Sequence, residues 1–155
     1  MPALMEIVAP DEYRNDGSGA VVFLAGGISG CPDWQADLCT ALGDVATVFL
    51  NPRRRAFDIG DESVTLEQIS WEFHHLRQAD AVLFWFPQET LCPIALFELG
   101  AWSMTAIPLF VGTHPAYSRR IDVEAQIALA RPDVTVCNSL SDLAAQVRAW
   151  RAMFA

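Results

Sequence analysis

Four short apolar runs decide what this chain can fold into: residues 20–25, 45–50, 81–86 and 107–112. Each is continuous rather than alternating, the pattern of strands covered on both faces. Segments of helical period lie between them, with Trp34, Leu38 and Leu42 on one and Ile69, Phe73 and Leu76 on another. Parallel neighbours need a crossover, and a helix is the usual one. The alternation therefore predicts a single doubly wound α/β domain with about five parallel strands. The run 134–137 supplies the fifth strand, and the expected order is 2-1-3-4-5. A last helix follows, with Leu143, Val147 and Trp150 on its apolar face. Residues 1–19 read as an irregular lead-in with a weak edge strand at Glu6-Ile7-Val8, and residues 20–155 as the domain.

In open parallel sheets, ligands bind beyond the carboxyl ends of the strands. The first such end carries Gly26-Gly27-Ile28-Ser29-Gly30, followed by a helix capped by Asp33. Glycines let a ligand approach the backbone, and Ser29 adds a hydroxyl. The spacing matches neither the G-x-G-x-x-G dinucleotide fingerprint nor a P-loop, so either a ligand cradle or a plain tight turn fits it. The second end delivers Asn51-Pro52-Arg53-Arg54-Arg55, and residues 58–63 form a polar loop. Thr65 or Ser63 is positioned to cap the next helix, which carries Glu72 and ends at Asp80.

The third end leads into the helix Pro93-Ile94-Ala95-Leu96-Phe97-Glu98-Leu99-Gly100-Ala101-Trp102, with proline at the first position. Apolar or small residues surround it on nearly every side, so it is expected to be buried, with one carboxylate, Glu98, in its middle. A buried carboxylate is costly unless it is paired or used, so Glu98 is either the candidate nucleophile or a salt-bridged or edge-exposed structural residue. Trp71, Trp85, Phe86 and Trp102 are candidates for stacking on a base, although aromatics at such spacings also build cores.

Composition narrows the partners. The net charge is -9 and every basic residue is an arginine. An acidic chain lacks the basic stripe that a nucleic-acid polymer needs, whereas a small anionic ligand can still meet a local arginine fork. No stretch is long enough to span a bilayer, and no leader pattern opens the chain. Cys31, Cys39, Cys92 and Cys137 show no C-x-x-C spacing, consistent with reduced thiols in the cytoplasm. His74 and His75 are adjacent and point apart on a helix, so no metal site is expected.

The chain resembles the nucleoside 2-deoxyribosyltransferase-like family, which includes nucleotide N-glycosidases. The stretches that carry the resemblance are Phe23-Leu24-Ala25-Gly26-Gly27-Ile28-Ser29-Gly30, Asn51-Pro52-Arg53-Arg54, Trp71-Glu72 through Leu76-Arg77-Gln78-Ala79-Asp80-Ala81, and Phe97-Glu98-Leu99-Gly100. The resemblance implies a flavodoxin-like fold, no cofactor, and cleavage of the bond between base and sugar in a nucleoside or nucleoside 5′-monophosphate. It places the nucleophile at Glu98 and a substrate-holding acid at Glu72, where the family often has aspartate. It also places Asp80 at the aspartate that ends the same helix. Gly26, Gly27, Ser29, Asn51, Arg53, Asp80 and Trp85 are the expected substrate contacts, with Ser29 and Arg53 suited to a 5′-phosphate. The family builds its pocket partly from neighbouring subunits, so a homo-oligomer is expected, a dimer or higher. Such cleavage passes through an oxocarbenium-like state that a nearby carboxylate stabilises or traps. The competing expectation is a non-catalytic nucleotide or nucleotide-sugar binding module on the same fold. A flavin carrier fits poorly, because the first loop lacks the T-x-T-G-x-T pattern.

Overall fold

The computed structural model describes residues 3–56 and 60–154. Five parallel strands, β1 (Met5–Val8), β2 (Val21–Gly26), β3 (Val48–Asn51), β4 (Ala81–Phe86) and β5 (Leu109–Thr113), form one sheet in the order β1-β3-β2-β4-β5. Five helices accompany them: α1 (Trp34–Ala41), α2 (Glu62–Leu76), α3 (Pro93–Ser103), α4 (Arg120–Ala130) and α5 (Leu140–Ala152). This is a flavodoxin-like α/β domain.

The alternation of side chains along the central strands sorts the core into two layers. Phe23, Val82, Phe84 and Phe86 point to one face, where Trp71 and Leu76 of α2, Ala95 and Leu99 of α3, and Val123 and Ile127 of α4 cover them. Val22, Leu24, Leu83 and Trp85 point to the other, under Trp34 and Leu38 of α1 and Leu143 and Val147 of α5. Residues in β2 and β4 are buried on both sides, which accounts for their continuous apolar sequence.

The outer strands differ from expectation. The weak segment near Glu6 is a full edge strand, paired along four residues with β3, from Met5 against Val48 to Val8 against Asn51. The run 134–137 instead makes one parallel bridge, Cys137 to Gly112. Cys137 exchanges hydrogen bonds with Val111 and Thr113, and Ser139 then caps α5 before more of the ladder can form. The inner order is as expected, and the fifth strand comes from the N-terminal rather than the C-terminal end.

Capping is partly as expected. The Asp33 carboxylate accepts from Ala36 N at 3.1 Å. At α2 the cap is Asp61, which accepts from Ser63 N at 2.9 Å, so the helix begins earlier than the apolar period suggested. Met1, Pro2, Asp58 and Ala155 lie outside the described residues, Asp58 being the first residue of the expected polar loop. Among the described residues no helix is long and apolar enough to cross a membrane.

Candidate active site

α3 begins at Pro93, as its sequence requires, and leaves the β4 end through Cys92 in the left-handed region (φ 55°). The Tyr117 hydroxyl donates to Leu91 O at 2.7 Å and fixes this entry. Only Ala95 and Leu99, one turn apart, are buried in the sheet-facing stripe. Ile94 and Phe97 are exposed, so the expectation of a helix buried all round is corrected. Glu98 sits at the boundary between these two faces and is half-buried.

α2 is fixed by its aromatic stripe. Trp71 is buried against Phe23, stacks on His75 at 4.0 Å between centroids, and donates from Nε1 to Asp11 O at 2.9 Å. His75 is fully buried and takes the Tyr13 N–H on Nε2 at 3.1 Å. The core face of α2 is thus Gln68, Trp71, His75 and Leu76, while Ile69 and Phe73, expected inside, are exposed. The helix is rotated relative to the simple apolar reading because the lead-in segment covers Trp71 and His75. That rotation leaves Glu72 half-buried, next to Trp71 and close enough to α3 for its charge to act on Glu98.

The two carboxylates are electrically coupled. Burial, and then the negative charge of Glu72, push Glu98 up to about 8. Burial also raises Glu72, but a hydrogen bond from Gln68 and the nearby Arg54 charge oppose the rise. The Gln68 amide donates to Glu72 Oε1 at 2.8 Å and to Pro52 O at 2.7 Å, and its own oxygen accepts from Arg54 Nε. Of the two, Glu98 is the one whose neutral form burial and the neighbouring charge favour up to about 8.

The glycine loop is built tightly. Gly26 has φ 147°, and a Cβ there would meet Trp85 O at 2.2 Å. A Cβ on Gly27 would meet Pro87 Cγ at 2.7 Å. These two glycines are therefore required by close packing of the loop on the β4 end. The Gly27 carbonyl accepts from Trp34 Nε1 at 2.8 Å. Ser29 lies exposed at the loop tip. Arg53 clamps the loop from β3, with Nε donating to Gln35 at 2.8 Å and Nη2 to Pro32 O at 2.9 Å. Asn51 is buried and uses its amide locally, donating to Glu6 at 2.7 Å and accepting from Arg53 N at 2.9 Å.

Two expected contacts lie elsewhere. Asp80 is at the amino end of β4, the far end of the sheet from the loop, where its carboxylate accepts from Val21 N at 2.9 Å. Trp85 is buried on the α1–α5 face with its ring over Gly112, on the opposite side of the sheet from α2 and α3. Phe86 and Tyr117 likewise pack together in the core. The sequence reading missed Gln68. The signal for it was the i, i+4 spacing to Glu72 on a helix.

A family model described as nucleoside 2-deoxyribosyltransferase like matches residues 19–117, a span that takes in the glycine loop, both carboxylates and all of β2 to β5. No curated protein matches the chain.

Proposed function

From the premise that the chain belongs to the nucleoside 2-deoxyribosyltransferase-like family, we propose that it cleaves the N-glycosidic bond of a nucleoside or nucleoside 5′-monophosphate, by hydrolysis or deoxyribosyl transfer. The observation that carries the reading is the coupled pair Glu98 and Glu72, half-buried on two helices of the same sheet face. Glu98 is the nucleophile. Its carboxylate forms a bond to the anomeric carbon as the bond to the base breaks. Glu98 attacks ionised, and a protonated Glu72 gives its proton to the departing base, which leaves neutral. Water or an acceptor base, giving its proton to the Glu72 carboxylate, then attacks the anomeric carbon and releases Glu98 as the carboxylate. The loop of Gly26, Gly27 and Ser29 receives the sugar or its 5′ end, and Asn51 and Arg53 hold that loop in place. No step in this sequence requires a cofactor.

The reading includes self-association. Leu66, Ile69 and Phe73 on α2 and Ile94 and Phe97 on α3 expose apolar side chains on the two helices that carry the carboxylates. Covering that face with a second copy excludes water from Glu98.

Base release from a panel of nucleosides and their 5′-monophosphates, with and without acceptor bases, tests the proposal. Release that disappears in Glu98→Ala supports it, and the preferred member of the panel identifies the sugar and any phosphate requirement. Binding of panel members without release would favour a binding module instead.

A further inference from the structure

Glu72 does not stand alone on its helix. One turn earlier, Gln68 is buried and has both ends of its amide engaged. Arg54 can only donate, so the Gln68 oxygen must face the guanidinium. The amide nitrogen must then face Glu72 and the Pro52 carbonyl, to which it donates at 2.8 and 2.7 Å. Arg54 is itself held by Glu67, which accepts from Nη2 at 3.2 Å. The donors thus run in one direction, from Arg54 through Gln68 to Glu72.

This direction has a chemical consequence. Glu72 Oε1 is engaged as an acceptor, and the carbonyl oxygen of a protonated carboxyl is the better acceptor, so a proton on Glu72 is favoured on Oε2. We propose that Gln68, aligned by Arg54, is the positioning residue for Glu72: it holds Oε1 and reserves Oε2 as the oxygen through which Glu72 meets the substrate. The inference rests on the reading of Glu72 and Glu98 as the reacting pair. The charged groups around Glu72 are Arg54 from the segment after β3, Glu98 from α3 and, through Arg54, Glu67 from α2 itself. Of these only Arg54 favours the anion. The Gln68 hydrogen bond brings that influence onto a single oxygen.

A titration of the free protein separates this inference from the parent reading, because it needs no turnover. The carboxyl carbons of Glu72 and Glu98 are followed by 13C NMR against pH, assigned with Glu72→Gln and Glu98→Gln. Gln68→Leu should raise the Glu72 midpoint by about one pH unit. Arg54→Met leaves Gln68 in place but frees its amide to turn, and should move Glu72 in the same direction. Arg54→Lys, which keeps a donor, should restore most of the difference. Circular dichroism confirms that each variant is folded. On whichever panel substrate the protein cleaves fastest, Gln68→Leu should lower kcat about tenfold. KM should change less, and the pH-rate profile should move with the Glu72 midpoint. A folded Gln68→Leu protein in which Glu72 titrates as in the wild type overturns the proposal. If the wild-type chain releases no base at all, the parent reading fails, while the titration still decides whether Gln68 governs Glu72.

Discussion

Burial, and then the charge of Glu72 reaching across from α2, raise Glu98 on α3 to about 8. An ordinary glutamate lies near 4.5. Between those values the unfolded chain gives up the Glu98 proton and the folded chain keeps it. The proton-linked stability is therefore fully present below about 4.5 and is lost as pH rises through about 8. Partial exposure keeps the effect on the order of 2–4 kcal/mol or less. Thermal unfolding should show the melting temperature falling across this window, and Glu98→Gln, which cannot ionise, should flatten that fall. A wild-type curve no steeper than the variant's would contradict the arrangement.

Substituting the glycines of the first loop should give unequal results. Gly26→Ala places a methyl against the Trp85 carbonyl at 2.2 Å in a backbone conformation of φ 147°. The loop cannot absorb this without moving away from β4, and a loss of about 3 kcal/mol or more is expected. Gly30 has φ 74° but open space around it, so Gly30→Ala should cost only about 1 kcal/mol. Denaturant unfolding of both variants measures the difference, and equal losses would rule out the close approach at Gly26.

Arg53 is bonded to the loop and to the start of α1. Its Nε lies 3.4 Å from Asp33 as well as donating to Gln35, and Nη2 serves the Pro32 carbonyl. Arg53→Ala should lower stability by about 2 kcal/mol through the lost charge-assisted bonds. Its effect on base release should be the same for nucleosides and their monophosphates, because the loop is loosened for both. A selective loss on monophosphates would instead assign Arg53 to the phosphate.

The parts of the fold written in continuous apolar runs were legible in the sequence, because double-sided burial leaves no other pattern for β2 and β4. The edge of the sheet was legible only as a weak strand at Glu6-Ile7-Val8. The segment Met5–Val8 is exposed on much of its surface and carries little apolar signal, yet it pairs along its length with β3. The apolar run 134–137 is a better strand by composition but turns away to let Ser139 cap α5. Among the candidate site residues, Glu98 stands out in the sequence because one acid in an apolar helix is conspicuous. Gln68 offered only its i, i+4 spacing to Glu72, since its importance depends on which atoms of Arg54 and Pro52 it meets. Asp80 enters through the family resemblance and Trp85 as an aromatic ring able to stack on a base. Strand direction places Asp80 at the far end of the sheet, and side-chain alternation places Trp85 on the far face.

The rotation of α2 that buries Trp71 and His75 also turns Ile69 and Phe73 outward, and Ile94 and Phe97 of α3 are exposed as well. Arg77 lies over the Phe73 ring at 3.5 Å and faces the half-buried Trp102 at 5.3 Å, joining the two helices into one surface. Large apolar residues gathered this way are uncommon on a monomer. A two-fold contact would place the same patch on both copies and bury Phe97, which is 75% exposed in the single chain. Light scattering at micromolar concentration should give twice the mass of one chain. Phe97→Asp should shift that mass toward the monomer, because an uncompensated charge at the centre of such a contact costs several kcal/mol, on the order of 3. Base release should fall in the same variant as concentration is lowered, since water then reaches the Glu98 side of α3. A wild-type mass of one chain, or a Phe97→Asp protein that associates as the wild type does, would remove this face from the proposed assembly.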